Sequence, residues 1–252
     1  MAVTAASDWV DGHSSRARLI ASGGLAGVEL ELPAGWKTYW RSPGEAGGVP
    51  PAFDWSKSTN LKEAVVLFPA PELFVDKSGE TIGYKNAVTF PVRFAPEDPT
   101  KPVDLHLALD YGVCKDICIP AQAELSLTVP AGDSEMGEAL MDAMARVPSP
   151  PNARRELDPE LKRAVSELTG EKPRVLLEVE FPGQAARTDL FVEVPGGAYL
   201  PLPKKIAEDG KGGVTYEIDL SQDVDVASLK GQSLTATIVS DKGQSEANFR
   251  LQ

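Results

Sequence analysis

Cysteine and histidine are scarce in this sequence, and long apolar runs are missing. The 252 residues include two cysteines and two histidines. Two cysteines are too few for a disulfide-stapled scaffold. No apolar run approaches the roughly 18 residues that a membrane helix needs, so we expect no direct membrane insertion. The excess of acidic residues gives a net charge of −12, which argues against a nucleic-acid ligand and against an anionic membrane surface.

Glycine and proline, in contrast, are abundant. The 22 glycines and 21 prolines make up about 17% of the chain, against an average near 12%. This excess favours many short strands joined by turns over long helices. Hydrophobic residues make up 42% of the chain, which is enough to build a core and argues against wholesale disorder.

Apolar and polar residues alternate along much of the chain, as half-buried strands require. The clearest alternation lies in residues 104–114 and 118–130, which we predict to be two consecutive strands. Helical spacing occurs in residues 134–148. A second, short helix is predicted to begin at the N-cap Asp158 and to end at Gly170.

These patterns predict an all-β protein of two β-sandwich domains, joined by a short helical, proline-rich connector. Residues 1–132 form the first domain, which carries both cysteines. Residues 133–172 form the helical linker. Residues 173–252 form the second β-sandwich domain, for which we expect no catalytic role.

The two cysteines, Cys114 and Cys118, lie four positions apart between two predicted strands. As a structural staple their bond would be weak, because closing so short a loop contributes only about 2 kcal/mol, against about 4.7 for a 100-residue loop. A redox-active dithiol explains the spacing better. Such a pair exchanges electrons with a partner protein through a mixed disulfide.

Other interpretations of the cysteines stay open. They can be buried, unreactive thiols, or a structural disulfide in a non-enzymatic β-sandwich interaction protein. A zinc site would need His13 and His106 as further ligands. Copper(I) is satisfied by two or three soft ligands. A copper-binding or copper-tolerance module could therefore use the same thiols, with help from His106 or from one of the methionines Met136, Met141 and Met144.

Four stretches of the first domain follow one another in an order that matches a known family. LDYGVCKDICIP (109–120) surrounds the cysteines, and it is preceded by GWKTYWRSPGEAGGVPP (35–51), FPAPELFVDKSGETIGY (68–84) and TFPVRF (89–94). Together they resemble the active-site segment, aromatic strand, cap-loop region and following strand of the N-terminal periplasmic domain of the DsbD/ScsB transmembrane thiol:disulfide reductases. The resemblance covers roughly residues 8–130. The three-residue spacer between the cysteines favours the ScsB-like branch.

The resemblance implies an immunoglobulin-like sandwich with the cysteine pair at one end. It also implies a periplasmic location, although no signal peptide is visible in the sequence. The implied activity is that of a protein-disulfide reductase without a cofactor beyond its redox-active disulfide. Electrons would come from a thioredoxin-like domain or a C-terminal transmembrane domain of the same full-length protein, and would pass to thioredoxin-like substrate proteins.

Residue roles also follow from the resemblance. Cys118 takes the role of the nucleophile, and Cys114 takes the role of the resolving thiol. Phe74 matches the aromatic residue with which the family's cap loop shields the pair. The other residues expected to shield or line the site are Tyr39, Trp40, Glu72, Tyr84 and Tyr111.

Overall fold

The computed structural model describes residues 5–44, 47–76, 79–132, 136–183, 185–222 and 224–252. The chain divides into two compact units, Met1–Val147 and Pro148–Gln252. Among the described residues, the regular structure consists almost entirely of antiparallel strands. The predicted all-β class is confirmed, whereas the immunoglobulin-like topology of each unit stays a prediction.

The first unit consists of short strands and one helix. In chain order, its elements are β1 (Ala5–Ala6), β2 (Val10–Gly12), β3 (Ser15–Ser22), β4 (Leu25–Glu31), β5 (Lys37–Tyr39), β6 (Ala52–Asp54), β7 (Leu61–Val66), β8 (Glu72–Asp76), β9 (Gly79–Lys85), β10 (Ala87–Pro96), β11 (Val103–Cys114), β12 (Cys118–Val129) and α1 (Glu138–Ala145).

These strands form two sheets. The first sheet has the order β1-β3-β4-β10-β7, with β2 beside β3. The second has the order β12-β11-β5-β9-β8, with β6 beside β11. Because β5 and β6 pair with the same strand β11, the chain leaves this sheet after Tyr39 and returns to it at Ala52.

Side chains from both sheets meet in the core of the first unit. On β11 the odd-numbered residues from Leu105 to Val113 are nearly inaccessible to solvent, as alternation predicts. The Tyr84 ring of the second sheet packs edge-on against Phe90 of the first, with ring centroids 5.5 Å apart. Tyr111 likewise reaches Ser15 across the core, with 2.7 Å between their hydroxyl oxygens.

The helix α1 lies within the predicted range 134–148 and packs on β4 and β10 of the first sheet. Its Leu140 is fully buried against Ile20 and Leu25. A Cβ atom at Gly27 of β4 would lie 2.7 Å from Leu140 Cδ2, so the close approach of the helix depends on glycine at that position. The helix therefore belongs to the first unit and is not part of a separate linker.

The second unit contains a four-stranded sheet, a three-stranded sheet and a short helix in its described part. Its buried core draws apolar side chains from both sheets, among them Leu177 and Ile238. In chain order, its elements are β13 (Glu160–Glu167), β14 (Arg174–Glu180), β15 (Thr188–Glu193), β16 (Lys204–Glu208), β17 (Gly213–Asp219), α2 (Val226–Leu229), β18 (Ser233–Ser240) and β19 (Gln244–Arg250). The sheet orders are β13-β14-β17-β16 and β15-β18-β19.

The predicted helix after Asp158 is wrong, because residues 160–167 form strand β13, paired with β14. A register shift between Leu161 and Arg163 marks an irregularity of the bulge type. Such an extra residue breaks the period-two alternation, so the segment looks helical in the sequence. Pairing with β14 overrides the intrinsic helix preference of its Leu, Lys, Arg and Ala residues.

The sequence also predicts a long, proline-bounded loop over residues 69–86, which the structure corrects. Most of it forms the antiparallel strands β8 and β9, whose register pairs Asp76 with Gly79. Prolines at the start of the segment are typical of a loop, so the sequence pattern did not predict this hairpin. Among the described residues, no helix has the length and apolarity needed to span a membrane.

Candidate redox-active disulfide site

The two cysteines close the longest hairpin of the chain. Cys114 is the last residue of β11 and Cys118 the first of β12, and the register places them directly opposite each other. Their Cα atoms are 4.1 Å apart and their sulfur atoms form a disulfide bond. In the turn between them, the Lys115 N–H donates to the Ile117 carbonyl at 3.4 Å. The predicted position between two strands is therefore confirmed.

The two sulfur-bearing residues differ in exposure. Cys114 is only 3% exposed, because β11 lies between β12 and β5 in the sheet. Cys118 is exposed, because β12 is the edge strand. Its neighbour Ile117 is 72% exposed. A partner protein can therefore approach Cys118 but not Cys114.

The disulfide lies on the outward face of its sheet. On β11 the odd-numbered residues point into the core, so Cys114 and the other even-numbered residues point outward. Asp104, His106 and Asp110 on this outer face are partly or fully exposed, yet Gly112 is buried. Something must therefore cover the outer face near the cysteine end of the strand.

Tyr39 provides this cover. Its ring is 1% exposed, and its hydroxyl donates to Cys118 Sγ at 2.7 Å. Gly48 and Gly112 flank the ring: a Cβ atom at Gly112 would lie 2.8 Å from Tyr39 Cε2, and one at Gly48 would collide with Cε1. The two glycines thus form a slot for the tyrosine ring.

The segment from Gly47 to Pro50, between β5 and β6, lies over this slot. The Gly112 N–H donates to the Val49 carbonyl at 2.9 Å, which fixes the segment to β11. The Val49 side chain remains 44% exposed. The resemblance implied that this stretch lies near the site, but its contact with Gly112 was not predicted, although a glycine inside a strand pattern signals close approach of another group.

Phe74, the predicted shield, lies elsewhere on the same sheet face. Its strand β8 is separated from β11 by β5 and β9, so the backbones of β8 and β11 are about 14 Å apart at the usual strand spacing. The ring is 7% exposed and lies 4.1 Å from Lys85 Nζ and 6.0 Å from Lys37 Nζ. Glu72, also on β8, is exposed.

A buried lysine beside the cysteines was not predicted. Lys37 pairs with Cys114 in the β5–β11 ladder, so the two side chains share the outward face. It is only 5% exposed, and its ammonium group donates to Thr81 Oγ1 at 3.3 Å. The Lys37 side chain therefore extends along the outward face from beside Cys114 towards the Phe74 ring.

Three further predicted residues lie in the core and are not brought to the disulfide. The Tyr111 hydroxyl is bound to Ser15, and burial raises the pKa of Tyr111, an effect that this hydrogen bond only partly offsets. The Tyr84 hydroxyl donates to the Pro69 carbonyl at 2.8 Å. Trp40 is 1% exposed beneath the guanidinium of Arg41. Tyr39, in contrast, donates a hydrogen bond to the sulfur of Cys118.

The residues considered as metal ligands are dispersed. His106 Nδ1 lies 2.9 Å from the Ser126 hydroxyl on the exposed face, and His13 contacts the Trp36 ring. The helix α1, which carries Met141 and Met144, packs on the other sheet. Across the described ranges, no cluster of three or more His, Cys, Asp or Glu side chains could hold a metal ion.

An exposed cysteine joined to a buried one leaves one sulfur open to attack, as thiol–disulfide exchange requires. Residues 16–130 match the sequence profile described as thiol:disulfide interchange protein DsbD, N-terminal. Over these residues the chain is therefore similar to the N-terminal domain of that family. A comparison with curated protein sequences finds no match.

Solved structures extend this likeness beyond the matched domain. One of them is the N-terminal periplasmic domain of ScsB from Proteus mirabilis, with a TM-score of 0.73 and 22% sequence identity. The match covers 99% of this chain and 99% of that chain. At this identity the likeness shows a shared fold, which includes both units.

Proposed function

We propose that this chain is a periplasmic thiol–disulfide reductase module of the ScsB-like branch. It takes electrons from a thioredoxin-like or transmembrane donor and passes them to thioredoxin-like substrate proteins. The observation that carries the proposal is the disulfide between exposed Cys118 and buried Cys114 at the end of the β11–β12 hairpin. The family match supports the general chemistry of the proposal.

The electron-accepting half of the cycle begins at the exposed sulfur. A donor thiolate attacks Cys118, forming a donor–Cys118 disulfide while the Cys114–Cys118 bond breaks and Cys114 takes up a proton. The donor's second thiolate then attacks the donor sulfur of this mixed disulfide. Cys118 is released as a thiolate, the donor leaves as a disulfide, and two electrons have moved to the cysteine pair.

The delivering half uses the same sulfur atoms in the opposite direction. The Cys118 thiolate attacks a disulfide of the substrate and forms a mixed disulfide, expelling one substrate thiolate. Cys114 then gives its proton to the expelled substrate thiolate and attacks the Cys118 sulfur, which restores the intramolecular disulfide and releases the second substrate thiolate. The difference in exposure supports these roles, because only Cys118 is accessible to a partner whereas Cys114 needs only to reach Cys118.

The surface around Cys118 supports docking of another protein. Ile117 precedes it in the chain and is 72% exposed, Val49 beside Gly112 is 44% exposed, and the segment from Gly47 to Pro50 carries no charge. Such a small apolar rim fits a partner whose own reactive cysteine lies in an apolar surface. The second unit contains no cysteine, so we assign it no part in electron transfer.

The test measures electron exchange in both directions. The oxidised protein is mixed with a reduced thioredoxin-like protein, and the reduced protein with an oxidised one, and thiols are quantified by alkylation and mass spectrometry. Exchange should be much faster than with glutathione at the same thiol concentration. Exchange no faster than with glutathione would favour the structural disulfide, and tight Cu(I) binding beyond that of a simple dithiol would favour the copper function.

A further inference from the structure

We propose that the Tyr39 hydroxyl acts directly in the exchange reaction, by donating a hydrogen bond that stabilises the Cys118 thiolate of the reduced pair. This inference rests on the proposed function and assigns to Tyr39 a role beyond shielding the disulfide. It predicts that one phenolic hydroxyl favours the reduced form of the pair. It also predicts that the same hydroxyl favours Cys118 as the sulfur that carries the negative charge.

The contact itself is direct. The Tyr39 oxygen lies 2.7 Å from Cys118 Sγ, and the hydroxyl proton can point at the sulfur. A sulfur atom in a disulfide is a weak, neutral acceptor, whereas a thiolate carries a full charge. Hydrogen bonds to charged acceptors are roughly twice as strong as those between neutral groups. The same contact therefore stabilises the reduced, ionised state more than the oxidised state.

The hydroxyl is held in position before the reaction begins. The Tyr39 ring fills the slot between Gly48 and Gly112, where a β-carbon on either glycine would collide with it. The neighbouring Thr38 hydroxyl donates to the Gly112 carbonyl at 2.7 Å, which ties β5 to β11 at the same level. Because the ring cannot easily turn away, the donor loses little conformational entropy when a thiolate forms.

The two lysine side chains near Cys118 in the fold are directed towards other groups. Asp116 and Lys115 belong to the same turn, but the Lys115 stem lies over Gly35, with Cε 3.4 Å from the position of a Cβ atom there. Lys37 on β5 directs its ammonium group to Thr81. The described part of the segment over the slot, from Gly47 to Pro50, is uncharged. Tyr39 thus makes the direct polar contact with the reactive sulfur.

The test removes the hydroxyl and keeps the ring. Tyr39→Phe should still fill the slot, and Tyr84→Phe is the matched control, because the Tyr84 hydroxyl is buried on the other sheet face and donates to a carbonyl. In a Cys114→Ser background, the pH dependence of Cys118 alkylation should move upward by about one pH unit in Tyr39→Phe. The control should keep the midpoint of its Cys114→Ser parent.

A second measurement uses the intact cysteine pair. In glutathione redox buffers, Tyr39→Phe should shift the equilibrium about tenfold towards the disulfide, and Tyr84→Phe should not shift it. Equal midpoints and equal equilibria in the two phenylalanine variants would overturn the role of the hydroxyl. Neither measurement needs a partner protein. A wild-type protein that fails to exchange with thioredoxin-like proteins would therefore refute the proposed function separately.

Discussion

The two units of this chain differ in what their buried polar groups contact. Both are antiparallel β structures with apolar cores. In the first unit, the Tyr39 hydroxyl is directed at the sulfur of an exposed cysteine. In the second, the Asp158 carboxylate, 2% exposed, is directed at the backbone N–H groups of Arg155 and Gln244. The first arrangement serves a reactive atom, and the second joins segments of the chain.

This comparison teaches that burial alone does not identify a site. Asp158, Lys37 and Tyr39 are all buried polar residues, and the Tyr39 hydroxyl contacts a sulfur atom that can react and be reached from solvent. The useful signal is a buried polar donor beside a reactive group that solvent can reach. The predictions that follow separate structural effects in one unit from chemical effects in the other.

The largest effect is expected in the core of the second unit. Leu177→Ala removes a fully buried side chain, so the free energy of unfolding should fall by about 2–5 kcal/mol. Urea unfolding followed by far-UV circular dichroism measures this change. The alkylation rate of Cys118 in the folded protein should stay the same. A changed rate would show that the two units are coupled, and it would contradict the separation of structural effects in one unit from chemical effects in the other.

A smaller loss of stability is expected at Asp158. Burial raises the pKa of Asp158, but hydrogen bonds from Arg155, Ser149 and Gln244 outweigh burial and hold this pKa below its ordinary value. Asp158→Ala should therefore lower the free energy of unfolding by about 1–3 kcal/mol at neutral pH. Exchange by the cysteines should persist in the folded variant.

The pH dependence at Asp158 has a defined sign. A carboxyl whose pKa is lower in the folded state contributes stability above its unfolded pKa of about 4, and this contribution is lost as the pH falls through the folded value. Between neutral pH and about pH 3, the wild type should lose more stability than Asp158→Asn. Parallel curves for the two proteins would contradict the assigned hydrogen-bond network.

The glycine slot should show a mixed effect on stability and reactivity. In Gly112→Ala, the new methyl group would lie 2.8 Å from the Tyr39 ring and 3.0 Å from Val49 Cβ, which should cost about 1–3 kcal/mol of stability. The displaced tyrosine should also slow the alkylation of Cys118. In a Tyr39→Ala background the additional cost of Gly112→Ala should shrink, and an undiminished cost would mean that the slot does not hold the ring.

The smallest effect concerns the contact between Lys85 and Phe74. The ammonium group lies 4.1 Å from the ring centroid, and such contacts at partly exposed sites contribute about 0.5–1 kcal/mol. A double-mutant cycle with Lys85→Met and Phe74→Leu should give a coupling energy of this size. No measurable coupling would show that the lysine does not stabilise the ring position.

Sequence reasoning found the parts of the site that depend on local pattern. Strict alternation located the hairpin of residues 104–114 and 118–130, and with it the position of the cysteines. Helical spacing located α1. These features depend on neighbours within a few residues, so a single sequence contains the information needed to predict them.

What the sequence could not show depends on register between distant strands. Tyr39 and Tyr84 both lie near glycines in aromatic stretches, but the pairing of Tyr39 with Gly83 puts Tyr39 on the outer face and Tyr84 in the core. A register one residue different would exchange their places. The strand β13 was missed because its irregular register imitates the spacing of a helix.

The most direct test of the exchange function is to trap its intermediate. Cys114→Ser and Cys118→Ser variants are each incubated with an oxidised thioredoxin-like protein, and mixed disulfides are located by non-reducing peptide mass spectrometry. We expect Cys114→Ser to accumulate a mixed disulfide through exposed Cys118, and Cys118→Ser to accumulate none. A mixed disulfide formed only through Cys114 would reverse the assigned roles, and its absence from both variants would contradict a function in thiol–disulfide exchange.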